Sequence, residues 1–288
     1  MPPTDLDSLL ARAGATEFYR SRAAASSVWK RVPLTQRAEL VRDQLAHRPL
    51  GTRRYADAGT PVRAGICGSG DDLLVLAWNE EDLQHERHAG VRMLARLGIA
   101  PGTAIANTLA GALTSPGSLL LGDVVEEHGS LDVPLGAIES DAAARQAWEL
   151  VDRVTPAILF LETETTKRLF DAAPPAQRPW LKGLVWLQRG RVAAVPEVTA
   201  NVGFGGWSRS WLAIPEAASF AAASCATERF HLDEALAVEV EGGALIVTPL
   251  TGSTALLRYD TGLPASALEP CECGAAGTTL SLAVVAGR

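Results

Sequence analysis

A glycine-rich turn followed by a strand and a helix is encoded in residues Val62–Leu83, which read Val-Arg-Ala-Gly-Ile-Cys-Gly-Ser-Gly-Asp-Asp-Leu-Leu-Val-Leu-Ala-Trp-Asn-Glu-Glu-Asp-Leu. Glycines at such a turn allow backbone N–H groups to converge on a concavity, which is how phosphate-binding loops are built. This turn has no lysine, and its only hydroxyl group belongs to Ser69. Asp71 and Asp72 stand where a phosphate would be repelled. The turn therefore has the glycines of a phosphate loop without its side chains.

Helical segments alternate with short apolar strands through the first two thirds of the chain. The predicted helices cover residues 5–13, 16–25, 36–47, 80–97, 118–127, 141–153 and 162–172, and the predicted strands cover residues 73–78, 103–109, 131–135, 157–161 and 184–187. Alternation of this kind is typical of helices packed on a largely parallel sheet. Residues 1–196 are therefore predicted to form an α/β layered portion that begins with helices.

The pattern changes after Pro196, where strand signals dominate. We predict strands over residues 198–204, 236–241, 244–249 and 256–259, with a hairpin turn at Gly242-Gly243. The alanine-rich segment Pro215–Ser224 carries the main helical signal of this part. Residues 197–288 are therefore predicted to form a β-rich portion, either docked on the α/β portion or continuous with it.

Composition limits the class of protein. The 288 residues are 47% hydrophobic, which is enough for a sizeable core, and the formal net charge of −7 comes without a basic run. Nucleic acid is therefore not an expected partner. No stretch approaches the roughly 18 uninterrupted apolar residues of a membrane helix, and the N-terminus carries no export signal. We expect no membrane association and a cytoplasmic location, and the alanine and arginine content suggests a bacterial source.

Three cysteines and a histidine in the β-rich portion have the residue types of a zinc site. Cys225 precedes His231 by six residues, and Cys271 and Cys273 follow as a Cys-x-Cys pair. Thiolates and an imidazole suit tetrahedral zinc, and four protein ligands make such a site structural because no coordination position stays open. The alternative is that they are ordinary buried thiols and a core histidine. A disulfide is less expected in a cytoplasmic chain.

Three residues in and after the glycine-rich turn are candidates for catalysis. Cys67 lies in the turn, where a lowered pKa would make its thiol a nucleophile, although Asp71 and Asp72 would raise that pKa. The alternative is a small apolar residue at the junction of strand and loop. His85 and His88 are three residues apart on one helix face, which suits proton transfer or metal binding, or simply a solvated polar face.

Seven short segments spread along nearly the whole chain stand in the order of motifs of one enzyme family. They are Glu17–Arg20, Val32–Thr35, Gly65–Asp72, Trp78–Leu83, Ile246–Leu250, Arg258–Gly262 and Cys271–Gly274. In this order the chain resembles the large N-terminal domain of the adenylate-forming ligases, specifically the phenylacetate–CoA ligase branch. The resemblance implies the layered fold of that domain and a pocket for an aryl or acyl compound. Some members of the branch have cysteines and histidines at positions similar to the predicted zinc ligands.

The departures from the family pattern fall on the residues that handle ATP. The turn replaces the family's Thr-Thr-Gly-Lys by Ser69-Gly70-Asp71-Asp72, and Leu263 replaces the aspartate that holds the ribose. The segment Trp207–Trp211 is matched to the family's Tyr-Gly-x-Ser/Thr-Glu, so that an indole replaces the carboxylate supporting Mg²⁺. Residues 188–195 are shorter than the adenine-packing segment of the family, and the chain ends before the small lid domain that carries the adenylation lysine. The resemblance therefore implies that ATP and Mg²⁺ are not cofactors of this chain.

Three function classes remain open. The first is non-adenylating chemistry in specialised metabolism, such as acyl transfer, thioester cleavage or cyclisation of a small aryl or acyl compound carried as a CoA or carrier-protein thioester. Trp207, Trp211 and Ser69 are the candidate pocket residues, although the two indoles could instead fill space vacated by ATP groups. The second class is a catalytically silent partner of a ligase or carrier protein, and the third is ATP-dependent acyl- or aryl-CoA ligation. Because the active-site face lacks its lid, a homodimer or heteromeric complex is expected to cover it.

Overall fold

The computed structural model describes residues 6–24, 28–111, 115–194, 202–266, 270–274 and 279–282. The chain order of its elements begins with three helices, α1 (Leu6–Gly14), α2 (Glu17–Ala24) and α3 (Arg37–Ala46), and a hairpin of β1 (Arg63–Cys67) and β2 (Leu74–Trp78). The layered part then comprises α4 (Glu80–Arg96), β3 (Ala104–Asn107), α5 (Ser118–Glu127), β4 (Leu131–Pro134), α6 (Asp141–Val154), β5 (Ile158–Glu162), α7 (Thr163–Asp171) and β6 (Gly183–Arg189). The remaining strands are β7 (Trp207–Ile214), β8 (Ala218–Ser224), β9 (Phe230–Leu232), β10 (Leu236–Glu241), β11 (Ala244–Pro249), β12 (Tyr259–Pro264) and β13 (Thr279–Leu280).

An eight-stranded mixed sheet forms the centre of the fold, in the order β13-β9-β8-β7-β6-β5-β3-β4. The five strands from β7 to β4 are parallel, and β8, β9 and β13 are added antiparallel. Helices α4 and α5 cover one face and α6 and α7 the other, because each helix buries an apolar stripe on the sheet. The predicted α/β layered fold is confirmed.

The sheet continues across residue 196, because β7 pairs in parallel register with β6 from Gly183↔Trp207 to Arg189↔Ala213. Strands β10, β11 and β12 form a separate antiparallel sheet. An apolar cluster joins this sheet to β2, α3 and the antiparallel end of the large sheet, with Leu245, Val247 and Leu76 among its members. The predicted hairpin at Gly242-Gly243 is confirmed by the pairing of β10 with β11.

The helical prediction for Pro215–Ser224 is wrong, because this segment forms the turn after β7 and the strand β8. Alanine favours helix in isolation, but β8 is a central strand whose two faces are both covered. Phe220 and Ala223 pack in the cluster under α4, while Ala221 and Ala222 pack in the cluster next to β10–β12. Small side chains suit a strand enclosed on both sides, and this tertiary environment outweighs the intrinsic propensity.

One further strand prediction differs from the structure in where the strand begins, and another lies mostly outside the described residues. The strand predicted over residues 256–259 starts only at Tyr259, because Arg258 has a φ of +43°, in the left-handed region that a strand does not adopt. The strand predicted over residues 198–204 lies mostly outside the described residues, and residues 202–204 form a turn and coil. Among the described helices, none has both the length and the apolar character needed to cross a bilayer.

Helix α4 approaches α5 closely at Gly90, and this contact gives a stability prediction. A Cβ on Gly90 would lie 2.4 Å and 2.7 Å from the two Cγ atoms of Val124. Alanine is the better helix former by about 1 kcal/mol, but overpacking a fixed core costs about 1–3 kcal/mol. We therefore expect Gly90→Ala to destabilise the protein in urea unfolding. Gly122→Ala is the control, because its new Cβ meets only the flexible carboxylate of Asp132, and a Gly90→Ala protein as stable as wild type would contradict the contact.

Candidate functional site

Three charged side chains and one thiol lie together at the glycine-rich turn between β1 and β2. We call these four residues, Arg37, Cys67, Asp72 and Glu216, the loop cluster. Arg37, from the first turn of α3, directs its Nε to the carboxylate of Asp72 at 2.6 Å and pairs through Nη1 with Glu216. Its Nη2 donates to the backbone carbonyls of Cys67 at 3.1 Å and Asp72 at 2.7 Å. The turn therefore offers carbonyl oxygens to a cation, whereas a phosphate nest offers N–H groups to an anion.

Gly68 makes this arrangement possible. Its φ is +80°, and a Cβ there would lie 2.3 Å from Nη2 of Arg37 and 2.4 Å from the carbonyl oxygen of Asp72. Only glycine combines this backbone conformation with this close approach. The glycine that the sequence suggested for a phosphate accommodates the guanidinium of Arg37.

Cys67 is buried, with 6% of its surface exposed, and its Sγ lies 3.7 Å from Arg37 Nη1 and 3.7 Å from Glu216 Oε1. Burial raises the pKa of the thiol, and the neighbouring guanidinium only partly opposes this effect. These surroundings are those of a protonated structural thiol, so the proposed role of Cys67 as a nucleophile has no support from its environment.

The loops after the parallel strands form the edge at which open α/β sheets bind ligands. At this edge Arg189, at the end of β6, pairs with Glu162 at the end of β5 at 2.6 Å and donates to the carbonyl of Pro116 at 2.6 Å. The hydroxyls of Ser115 and Ser219 face each other at 3.5 Å. An ion pair thus occupies the segment around residue 188 that the family resemblance assigned to adenine packing.

The structure separates the predicted pocket residues from one another. Trp211 is fully buried and stacks on Phe220 with ring centroids 5.0 Å apart, inside the core under α4. Trp207 is the first residue of β7 and has the guanidinium of Arg209 over its ring at 4.7 Å, and Ser69 is exposed on the turn. The indoles therefore pack in and against the core, and they do not face the loop cluster.

Glu216 is a carboxylate that sequence reasoning did not single out. The residue follows β7 and Pro215, and its carboxylate reaches the glycine-rich turn. The sequence analysis missed Glu216 because it predicted a helix for Pro215–Ser224. In the structure, Glu216 instead lies in the turn between β7 and β8, at the edge of the sheet. A carboxylate beside the turn is therefore present.

A pocket lies between β2, α4, the turn after β7 and the segment 249–256. His85 and Glu86 line it from α4, and Nδ1 of His85 is buried without a hydrogen-bond partner among the described residues. Glu86 accepts from the backbone N–H of Ser219 at 3.2 Å, and burial raises its pKa to about 7. His88 points elsewhere, with Nε2 at 3.3 Å from Glu127, so the two histidines do not form one site. Sequence reasoning missed Glu86, which lies between them.

The predicted zinc ligands lie together. Cys225 follows β8, His231 lies in β9 and is 3% exposed, and Cys271 and Cys273 come from the segment 270–274. Their ligand atoms all fall within 4.8 Å of one another, with Sγ atoms of Cys225 and Cys271 at 3.6 Å and Sγ of Cys273 at 3.2 Å from Nε2 of His231. Tetrahedral zinc requires S···S separations of about 3.8 Å, whereas a disulfide requires about 2.05 Å. The four residues could therefore hold a metal ion, and none forms a disulfide.

The surroundings of these ligands favour the thiolate form that metals bind. The hydroxyl of Thr227 lies 3.0 Å from Sγ of Cys225 and 3.3 Å from Sγ of Cys271. Hydrogen bonding by Thr227 is the main cause that lowers the pKa of Cys271 to about 7.

Comparison with known proteins identifies the fold. No protein-family model and no curated protein sequence matches this chain. Among solved structures, an open conformation of 2-hydroxyisobutyryl-CoA ligase in complex with 2-HIB-AMP and CoA superposes with a TM-score of 0.77 at 17% identity, covering 90% of this chain and 67% of the ligase chain. The amide bond synthetase McbA from Marinactinospora thermotolerans gives 0.54 at 17% identity, covering 82% of this chain and 51% of McbA. VinN in complex with L-aspartate gives 0.53 at 12% identity, covering 84% and 64% of the two chains.

These relatives share an architecture with this chain at identities that establish fold alone. The chain spans 60–67% of the length of the 2-hydroxyisobutyryl-CoA ligase chains it matches. Its structural neighbours are acyl-CoA ligases and amide bond synthetases of the adenylate-forming superfamily. The protein described here has the fold of the N-terminal domain of adenylate-forming enzymes.

Proposed function

We propose that this chain is a phenylacetate–CoA ligase-like protein that handles a small aryl or acyl compound, as a CoA or carrier-protein thioester, without adenylating it. The observation that carries the proposal is that the side chain of Arg37 occupies the glycine-rich turn. It forms ion pairs with Asp72 and Glu216 and hydrogen bonds with two backbone carbonyls. Acyl transfer, thioester cleavage and cyclisation are the reactions that remain when the carboxyl group arrives already activated.

Electrostatics explains why ATP is not expected at this turn. The guanidinium of Arg37 is balanced against the carboxylates of Asp72 and Glu216, so the three groups sum to one negative charge, and Asp71 adds another. Two like charges 4 Å apart repel by about 4 kcal/mol at the effective dielectric of a protein surface. A triphosphate would also have to displace the hydrogen bonds of Arg37. Leu263 supports the same conclusion. The family resemblance matches this residue to the aspartate that binds the ribose, but it is apolar and only 2% exposed.

Pyrophosphate exchange tests this proposal directly. Incubated with ATP, Mg²⁺ and a panel of aryl and fatty acids, the protein should move no labelled pyrophosphate into ATP, and ATP·Mg²⁺ should leave its melting temperature unchanged. A specific ligand at a hundredfold its Kd would stabilise the protein by about 2.7 kcal/mol, so binding would be visible. Acid-dependent exchange above a heat-treated control would overturn the proposal.

ATP-dependent acyl-CoA ligation is the second candidate, and Glu216 favours it. The carboxylate of Glu216 lies beside the turn. The structurally similar 2-hydroxyisobutyryl-CoA ligase was solved in complex with 2-HIB-AMP and CoA. If Arg37 moved aside, Glu216 would be free to support a metal ion. This candidate expects acid-dependent exchange that Glu216→Gln abolishes, whereas the first expects none in either protein.

We also propose that Cys225, His231, Cys271 and Cys273 hold a structural zinc ion. Four protein ligands fill a tetrahedral site, so the metal would have no position for substrate or water. The ion would tie the segment 270–274 to β8 and β9. Free thiols at this spacing suit the reducing environment of a cytoplasmic protein.

A further inference from the structure

The pocket beside α4 borders the loop cluster at Glu216, contains none of the four cysteine and histidine ligands, and has a mixed lining. Apolar walls come from Leu50, Leu76, Ala89 and Leu256, and polar groups come from α4 and from the segment that precedes β1. Arg53 is a buried guanidinium of this pocket that has no ion-pair partner among the described residues.

Arg53 is 5% exposed, yet its guanidinium makes one hydrogen bond, from Nη1 to the carbonyl of Ala255 at 3.3 Å. Its Nε is buried and has no partner among the described residues. The other buried arginines differ, because Arg178 forms a bidentate pair with Asp152 at 2.8 and 3.0 Å, and Arg258 pairs with Glu239. A buried guanidinium without a carboxylate is costly unless something else supplies the negative charge.

The carboxylates that line the same pocket are already used by other groups. Asp82 accepts from the backbone N–H of Ser253 at 2.8 Å and from its hydroxyl at 2.5 Å. Glu216 is paired with Arg37 in the loop cluster. Asp233 is paired with Arg92 at 2.7 Å and Arg96 at 3.2 Å. Glu86, the fourth carboxylate of the lining, accepts from the backbone N–H of Ser219. Asp43 attracts Arg53 through space but accepts from the backbone N–H and hydroxyl of Thr52. No described carboxylate forms an ion pair with Arg53, so an anion from outside could take that place.

We propose that this pocket binds a small monocarboxylate, with its carboxylate on the guanidinium of Arg53 and its apolar body against Leu50, Leu76 and Leu256. Arginine binds carboxylates through two parallel N–H groups. A single negative charge fits, because the surrounding acidic side chains would repel a phosphate dianion more strongly. The site shares Glu216 with the loop cluster but is centred on Arg53, and the proposal concerns ligand binding, not turnover.

Glu86 gives this binding a pH dependence. With a pKa of about 7, its carboxyl group is protonated in part at neutral pH and becomes a second negative charge as the pH rises. A bound carboxylate stays ionised throughout this range, so it should bind more tightly at pH 6 than at pH 8. The titratable and charged groups that line the pocket together with Glu86 are Asp82 and His85 from α4, Arg53 and Arg54 from the segment before β1, Glu216 after β7, and Asp233 after β9.

Calorimetric titration of the full chain with benzoate and isovalerate tests the proposal. At pH 6.5 we expect saturable 1:1 binding of at least one acid and no binding of benzamide or inorganic phosphate. Arg53→Met should weaken that binding about tenfold or more. Arg145→Gln is the matched control, because Arg145 is exposed on α6 and does not line the pocket. Its affinity should stay within about twofold of wild type.

A second measurement keeps the proposal testable if Arg53→Met does not fold. Wild-type affinity should fall about threefold or more between pH 6 and pH 8, and the isosteric Glu86→Gln should remove most of that fall. His85→Asn should leave the Glu86-dependent change in place. Equal binding of benzoate and benzamide, tighter binding of phosphate, no saturable binding of any acid, or an unchanged pH profile in Glu86→Gln would each overturn the proposal.

Discussion

Protein purified without chelator should contain about one zinc ion per chain, and Cys273→Ser should lose most of it and melt at a clearly lower temperature. The reason is that the four ligands come from three separate segments, after β8, in β9 and in residues 270–274, and a metal ion would join them. Structural zinc contributes about 10–16 kcal/mol of binding free energy in small zinc-binding peptides, so even a fraction of that exceeds an ordinary core substitution. Metal analysis and calorimetric melting measure both effects.

The thiol of Cys67 provides the control for this experiment. It is a free cysteine too, but it lies in the loop cluster, away from the four ligands. Cys67→Ser should keep the full zinc content. Because the thiols must ionise to bind the metal, lowering the pH should release zinc from the wild type. A zinc-free wild type, or a Cys273→Ser protein that melts like the wild type, would show that the four residues are ordinary thiols and a core histidine.

Arg258→Met should destabilise the protein by about 3 kcal/mol. The guanidinium is 4% exposed, pairs with Glu239 and Glu241 of β10, and donates to the carbonyls of Lys30 and Val32. It thus joins the chain near residue 30 to the three-stranded sheet. Methionine fills a similar volume but leaves these acceptors without a donor in a buried setting.

Urea unfolding at neutral pH measures the loss, and an exposed ion pair supplies the comparison. Lys167 pairs with Asp171 one turn along α7, with side chains 81% and 57% exposed, and such pairs contribute less than about 1 kcal/mol. Lys167→Met should therefore unfold close to wild type. Similar midpoints for the two variants would mean that the Arg258 contacts contribute little to stability.

Some residues of the candidate sites could be predicted from the sequence, and others could not. The cysteine–histidine group could be proposed from residue types alone, because soft ligands are scarce and four of them stand in the last quarter of the chain. The loop cluster could not, because Arg37 and Glu216 are ordinary surface residue types in the sequence. They meet at the turn only because α3 packs beside β2 and because Pro215–Ser224 folds as turn and strand.

The burial of Arg53 could not be predicted from the sequence either. An arginine in a loop rich in arginine, glycine and proline gives no signal that it will be 95% buried, since burial there depends on the segment 249–256 closing over it. Glu86 is likewise hidden between two histidines in a helix that reads as polar. Sequence patterns report burial only when it recurs with the helix or strand period, and single buried charges have no period.

The sequence by itself determined the layered α/β order, the strand and helix after the glycine-rich turn, the hairpin at Gly242-Gly243 and the set of metal-binding residue types. These features depend on neighbouring residues, such as Asn79 and Asp82, whose reciprocal hydrogen bonds cap α4. Only the tertiary structure decided that an alanine-rich segment becomes a central strand, that Arg37 fills the turn, and that Arg53 is buried. The physical reason is that these outcomes depend on free energies of packing and charge pairing between distant segments, and local propensities of a fraction of a kcal/mol per residue do not encode them.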